Sequence, residues 1–222
     1  MTTTSTTIAH QVQNLHREAP AQMPAETLAA FGAEQAALAA AGQPCGVRTA
    51  GGPAPDGELL DAHGQPTSLT ATRAGKAAVV VFYRGGWCPY CNIALRAYEA
   101  DLLPRVRSRG VQLIAVSPQK PDGSLSTQQT NELSYPVVSD PGNQLGTALG
   151  ILTHPTNDAV AAQRSLGLDL TQVNADATTN VPMPTTLILD TQGLLRWIDV
   201  HPDYTTRTEV ADIMSALDTA LA

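Results

Sequence analysis

The apolar residues of this chain gather into a few dense runs separated by amphipathic and polar stretches. Residues 78–83 (AVVVFY) form a continuous β-branched and aromatic run without period-two alternation, which predicts a strand buried on both faces. Residues 111–117 (VQLIAVS), ended by Pro118, predict a second buried strand, and Val137 and Val138 a third. Leu187 to Leu189, the turn Thr191-Gln192-Gly193, and Leu194 to Val200 read as an antiparallel hairpin. A shorter hairpin is expected from Leu59 and Leu60, through a turn at Asp61 to Gly64, to residues 67–69, with His63 a turn residue.

Helical periodicity fills the gaps. After Cys88, apolar residues Ile93, Leu95, Tyr98 and Leu102 predict an amphipathic helix that Pro104 kinks or interrupts before Gly110 closes it. Further helices are expected from near Ser126, from Ser139 or Asp140 with Pro141 in the first turn through Leu149, within 154–167, and from about Thr208 with Val210, Ile213, Leu217 and Leu221. Residues 169–181 read as polar and irregular, leading into Pro184. Ahead of all this, residues 1–7 are a Thr/Ser tract expected to fray. Ile8, Val12 and Leu15 predict a helix broken at Pro20 and Pro24, and a second helix runs from about Ala25 to Ala41, stopped by Gly42. Residues 1–50 are thus a tail, helical arm and connector, and 51–222 an α/β layered domain. The arm must bury its apolar stripe, either on a face of the domain or as a homodimer contact.

Composition narrows the function. A chain of 222 residues with 43% apolar content can bury a real core, and a net charge of −7 without a basic cluster argues against nucleic acid or an anionic membrane as partner. Residues 1–30 lack the basic and apolar regions of a signal peptide and no run approaches a membrane span, so a cytoplasmic, reducing location is expected. A phosphate-cradling G-x-G-x-x-G loop is absent, and no cofactor is expected.

Chemistry concentrates in Arg84 to Cys91 (RGGWCPYC). Gly85 and Gly86 turn the chain out of the strand, and Cys88, Pro89 and Cys91 fall where a helix begins, Pro89 suiting a turn in which its missing N–H costs nothing. Unpaired N–H groups and the positive end of the helix dipole favour a thiolate at Cys88. A thiol with a pKa of about 8.5 is roughly 3% ionised at pH 7, and one lowered to about 7 is roughly half ionised. Cys91 can then attack a mixed disulfide or sulfenic acid at Cys88 and close a disulfide. Two other readings compete. Half of a zinc site has this spacing, but Cys45 and five scattered histidines supply no second pair, and two inert cysteines packed in a core would look the same. Cys45 lies in the Gly/Pro-rich connector 43–57, where an auxiliary redox role competes with an incidental thiol.

The segment FYRGGWCPYCN resembles the active site of thioredoxins and glutaredoxins. With residues 54–64, 115–119, 135–151 and 184–197 it is similar, over roughly residues 51–222, to peroxiredoxin-like proteins of the alkyl hydroperoxide reductase and thiol-specific antioxidant superfamily, in the subgroup with a C-x-x-C. That resemblance implies a thioredoxin-like central mixed sheet flanked by helices, with the N-terminal helices as an extension. It also implies a cis-proline at Pro184, beside Met183, facing the cysteines and positioning substrate.

Two family features are missing from their expected places. Gly85 stands three before Cys88, where a hydroxyl residue is usual, and Pro184 stands where a peroxide-holding arginine is usual. Arg84 is the candidate replacement. Lost donors at the developing charge favour disulfide exchange over fast peroxide reduction. The leading expectation is therefore a dithiol/disulfide oxidoreductase in which Cys88 attacks, Cys91 resolves, and Trp87 and Tyr90 shape the rim. A thiol peroxidase acting on hydrogen peroxide or alkyl hydroperoxides is the alternative, and a non-catalytic redox-responsive binding protein the second. The expected partners are a thiol reductant of thioredoxin, glutaredoxin or low-molecular-weight type and a disulfide or peroxide substrate.

Overall fold

A computed structural model describes residues 6–221. Of the tract expected to fray, residues 1–5 lie outside the described residues, whereas Thr7 is the N-cap of the first helix, its hydroxyl accepting from the His10 N–H. Helix α1 (Ile8–Gln22) runs through Pro20 and ends at Met23, and α2 (Ala25–Ala41) follows. Pro24 and not Pro20 makes the break. A proline in the last turn forfeits one backbone bond, but the residue before a proline is driven out of the helical region, and Met23 is extended (φ −131°, ψ 147°). Gly42, at φ 67°, ends α2 as expected.

Strands β1 (Leu59–Leu60) and β2 (Pro66–Thr67) form the short hairpin, its turn held by the Asp61 carboxylate accepting from the N–H groups of His63 and Gln65. After α3 (Leu69–Arg73), the fully buried β3 (Ala78–Phe82) leads into α4 (Pro89–Ala97). A π-helical turn (Tyr98–Leu102) and α5 (Leu103–Arg107) continue that helix, so the irregularity sits just ahead of Pro104, whose missing N–H cannot serve the carbonyl one turn back. Next come β4 (Gln112–Ser117) and α6 (Pro121–Thr130), which starts on a first-turn proline rather than near Ser126. After β5 (Val137–Ser139), α7 (Gln144–Leu149) begins beyond Pro141. The Asp140 carboxylate reaches past Asn143 to accept from the N–H groups of Gln144, Leu145 and Gly146. The elements β6 (Leu152–Thr153), α8 (Asn157–Ser165), α9 (Leu170–Val173), β7 (Val181–Pro182), β8 (Thr185–Leu189), β9 (Leu195–Val200) and α10 (Val210–Ala220) complete the chain. The stretch expected to be irregular therefore holds α9 and ends in a strand.

Seven strands form one mixed sheet in the order β2-β1-β5-β4-β3-β8-β9, parallel across β3, β4 and β5 and antiparallel elsewhere; β6 and β7 pair separately. Successive residues of β3 alternate between two cores. Val79 and Val81 pack with both cysteines, α4 and α10, while Ala78, Val80 and Phe82 pack with Leu59, Leu145 and Leu149. Helix α1 packs on α4 and α2 on α8, so the arm covers a face of its own chain. Its first turn is fixed by the Glu209 carboxylate, which accepts from the Ile8 and Ala9 N–H groups.

The connector is bound to the domain as well. The Arg48 N–H donates to the Leu149 carbonyl, and Gly51 and Leu195 bond through their backbones. Gly150 makes this approach possible: it has φ 71°, and a Cβ there would overlap the Gly46 carbonyl. Gly150→Ala is expected to cost about 2 kcal/mol, from the left-handed backbone and the clash together. Urea denaturation beside wild type measures it; an unchanged midpoint would show that the connector moves aside freely.

Candidate redox site

The site is built on the loop between β3 and α4. The backbone N–H of Tyr83 still donates to Val116, after which Arg84, Gly85 and Gly86 lead out of the sheet. The Gly86 N–H donates to Gln119 Oε1 at 2.7 Å and the Asn92 side chain donates back to the Gly86 carbonyl at 2.8 Å, so the loop is pinned from both sides. A Cβ at Gly85 would overlap Trp87 Nε1 and one at Gly86 would overlap Thr127 Oγ1, which is why both positions are glycine. Cys88 is the N-cap of α4, Pro89 its first residue, and Cys91 lies in the first turn, where the sequence pattern put them. Both cysteines are free thiols and both are sealed, at 1% and 0% exposure.

Sequence reasoning missed the group that faces them. Arg207, in the loop between β9 and α10, is buried and places Nη2 3.0 Å from Cys91 Sγ and 3.9 Å from Cys88 Sγ. Its Nη1 donates to the carbonyls of Tyr204 and Thr206, which aims the guanidinium. The loop is held in turn. Tyr98 Oη donates to the Thr208 carbonyl at 2.7 Å, and Thr208 Oγ1 donates to the Asp199 carboxylate and hydrogen-bonds the Thr186 hydroxyl. In the sequence Arg207 is a lone arginine among threonines, without spacing or motif to tie it to residues more than a hundred positions earlier. The absence of an arginine near Pro184 was the only hint that the cation had to come from elsewhere.

The two thiols behave as one unit. Burial alone would raise Cys91, but the Cys88 S–H hydrogen bond, the Arg207 guanidinium and the Arg84 backbone N–H outweigh it and hold Cys91 well below the ordinary thiol range. Burial and the neighbouring Cys91 push Cys88 well above it. The pair therefore gives up its first proton easily and its second with difficulty, and the resting charge sits on the sulfur nearer Arg207.

Above Cys88 lies a cavity of about 560 Å³, mostly apolar. Trp87 and Tyr90 line one side and Leu15, Leu28 and Phe31 of the arm roof it. Cys88 lines it; Cys91 is not among its lining residues. Tyr90 Oη bonds His16 of α1 at 3.0 Å, joining the roof to the C-x-x-C segment. Arg84 also reaches the cavity. Its guanidinium stacks 3.8 Å above the Tyr204 ring and 5.2 Å from that of Trp87, and its charge adds a smaller pull on Cys88.

The remaining candidates are arranged differently from the expectation. No peptide bond among the described residues is cis, so the bond at Pro184 is trans; its carbonyl accepts from the His201 N–H as the chain enters β8, which keeps this backbone in the sheet ladder. Met183 is buried with its N–H on the Ile151 carbonyl, and neither Met183 nor Pro184 lines the cavity over Cys88. Cys45 is exposed in the connector. No helix among the described residues is long and apolar enough to cross a membrane.

Residues 50–198 match the AhpC/TSA family. A Mycobacterium tuberculosis protein named as a peroxiredoxin, found in two strains, is 31% identical over 102 residues, 46% of this chain and 64% of that protein. The match thus spans a little under two thirds of that relative's own length. Among solved structures, the peroxidoxin BcpB of M. tuberculosis superposes with a TM-score of 0.57 at 18% identity, over 78% of this chain and 96% of the other. M. tuberculosis AhpC gives 0.58 at 18% identity over 79% and 99%, and a peroxiredoxin-like protein from Aquifex aeolicus 0.58 at 14% over 80% and 90%. These superpositions carry the fold, a mixed sheet flanked by helices of thioredoxin type. The helices that roof the cavity and the loop that carries Arg207 both lie outside the family-matched segment. On a matched segment that takes in most of the chain, its buried strands and both cysteines of the site, this protein belongs to the AhpC/TSA family.

Proposed function

We propose that this protein is a dithiol peroxidase that reduces hydroperoxides with the Cys88–Cys91 pair. The observation that carries the reading is a buried thiol pair against a buried guanidinium, with Cys88 lining an apolar cavity. A protein disulfide must bring a sulfur in line with the attacking one, and a buried Cys88 hinders that bulky partner more than it hinders a small hydroperoxide in the cavity it lines. Arg207 supplies the cation expected near Pro184 and missing there, which removes the argument for ranking disulfide exchange first.

The chemistry follows from the proton shared by the pair. Cys88 passes its proton across the hydrogen bond to Cys91, with Arg207 within reach of both sulfurs, and attacks the terminal oxygen of the hydroperoxide. An S–O bond forms, the O–O bond breaks, and the alkoxide leaves with a proton as an alcohol. Cys88 becomes a sulfenic acid, oxidised by two electrons. Cys91 attacks it, the Cys88–Cys91 bond forms and water leaves. An external thiol reductant, of the thioredoxin, glutaredoxin or low-molecular-weight type expected from the sequence, returns two electrons and two protons and restores the pair. The second reading is exchange with small disulfides, favoured by Cys88 standing at the helix N-cap, as a thioredoxin-type nucleophile would.

Single variants divide the roles. Cys88→Ser is expected to abolish consumption of an organic hydroperoxide. Cys91→Ser should give one turnover and stop at a sulfenic acid that dimedone labels. The reverse pattern would assign the attack to Cys91, and consumption surviving in both variants would sink the reading.

Arg207→Met is expected to raise the first ionisation of the pair by more than about one pKa unit, some 1.4 kcal/mol. Peroxide reaction should slow roughly a hundredfold. The ultraviolet absorbance of the thiolate, followed against pH, reports the shift. Wild type keeps its thiolate at pH values below the ordinary thiol range, while the variant should form one only as pH approaches the ordinary thiol value of about 8.5.

A further inference from the structure

The oxygens to which Arg207 donates belong to its own loop, the carbonyls of Tyr204 and Thr206. Those bonds aim the guanidinium relative to the loop. They do not place the loop relative to the cysteines, so the 3.0 Å approach to Cys91 Sγ has to come from whatever fastens the residues on either side of Arg207. Thr208, on the C-terminal side, is fastened through its carbonyl and its hydroxyl. Thr206, on the other side, is exposed and lies in no helix or strand, yet its hydroxyl is bonded to His201 Nδ1 at 2.7 Å.

His201 is itself fixed at two points of the sheet. Its backbone N–H donates to the Pro184 carbonyl at 2.9 Å at the head of β8, and its Nε2 lies 2.9 Å from Asp199 Oδ2 on β9. A carboxylate can only accept, so it fixes a proton on Nε2 and sets the plane of the ring. The hydrogen bond from His201 outweighs burial and holds the Asp199 carboxyl below its ordinary range, which keeps it a carboxylate at neutral pH. The same Oδ2 accepts from Thr208 Oγ1 at 2.8 Å. Both neighbours of Arg207 thus lead to one pair of side chains, Thr206 through the imidazole and Thr208 through the carboxylate. Among the described residues neither Asp199 nor His201 bonds a sulfur, so whatever the pair does to the thiols passes through Arg207.

We propose that Asp199 and His201 are positioning residues of the redox site, a clamp that grips Thr206 and Thr208 and thereby holds the Arg207 guanidinium on the two sulfurs. The positioning does not depend on the peroxidase reading above; its effect on hydroperoxide turnover does.

Thr206→Val removes one jaw of the clamp at an exposed position, Thr206→Ser keeps the hydroxyl, and His201→Phe removes the same contact from the other side. Ultraviolet absorbance of the thiolate followed against pH reads the result in the full-length reduced protein. The first ionisation constant of the pair should fall about threefold in Thr206→Val and in His201→Phe. It should fall no further in the double variant, because both changes break one contact. Thr206→Ser should restore the wild-type value, and Thr206→Val added to Arg207→Met should change the ionisation no more than Arg207→Met does alone. A loss of stability without positioning would lower the urea midpoint and leave the titration where it is. A folded Thr206→Val with wild-type ionisation, a Thr206→Ser as defective as Thr206→Val, or the threefold fall persisting on top of Arg207→Met would overturn the proposal. Circular dichroism confirms folding, and the Thr206 variants carry the test should His201→Phe unfold.

Turnover is read separately, as kcat/KM for tert-butyl hydroperoxide, which should fall about tenfold in Thr206→Val and recover in Thr206→Ser. Wild type inert toward hydroperoxides, with the ionisation shifts as expected, would overturn the peroxidase reading and support the clamp.

Discussion

The contact between the Arg207 guanidinium and the two sulfurs is the constraint on which the rest of this site depends. A buried guanidinium is costly where its charge is not met, and the group that meets Arg207 is a thiol pair. Five N–H donors have to be served in a buried space; two carbonyls of its own loop and the two sulfurs take the donations seen. The same pairing read from the other side turns a buried thiol into a nucleophile. Burial would otherwise suppress the thiolate, as it does for Cys88, so cation and anion each remove the other's desolvation penalty.

This contact obliges the fold to hold a long loop still. Residues 201–209 leave the sheet edge after β9 and would be mobile without side-chain anchors. Tyr98, buried under α10 and rooted in the π-helical turn, donates to Thr208, while Thr208 ties the loop to β8 through Thr186 and to β9 through Asp199. The next residue, Glu209, caps α1. One short segment thus positions the cation on the sulfurs and fastens the arm that roofs the cavity above them. The arm's second fastening, His16 on Tyr90, lands between the two cysteines.

Local features were legible in the sequence because they rest on local physics. The run at 78–83 is apolar at every position, so its burial on both faces needed no partner to be inferred, and glycines followed by Cys-Pro mark the helix start wherever the helix goes. Pro24 was readable for the same reason, although Pro20 was over-read as a break: a proline in a last turn offends one hydrogen bond that the helix can lose. Long-range features were not legible. Nothing in TTRTE announces that its arginine is buried, since burial there is decided by the packing of α10 on β8, β9 and the π-helical turn. Pro184 shows the converse error. A motif resemblance suggested a cis bond aimed at the thiols, whereas the backbone is engaged through the His201 N–H at the head of β8.

Charge balance also bears on the oxidised state. When the pair is a disulfide, the thiolate is gone and Arg207 and Arg84 remain buried, with no ion pair to either among the described residues. Whatever stabilises the reduced thiolate relative to the disulfide makes that disulfide a better oxidant. On the proposed reading, the arrangement that activates the thiol toward peroxide also makes the resulting disulfide easy for an external thiol to reduce. Both halves of the cycle then draw on one electrostatic arrangement.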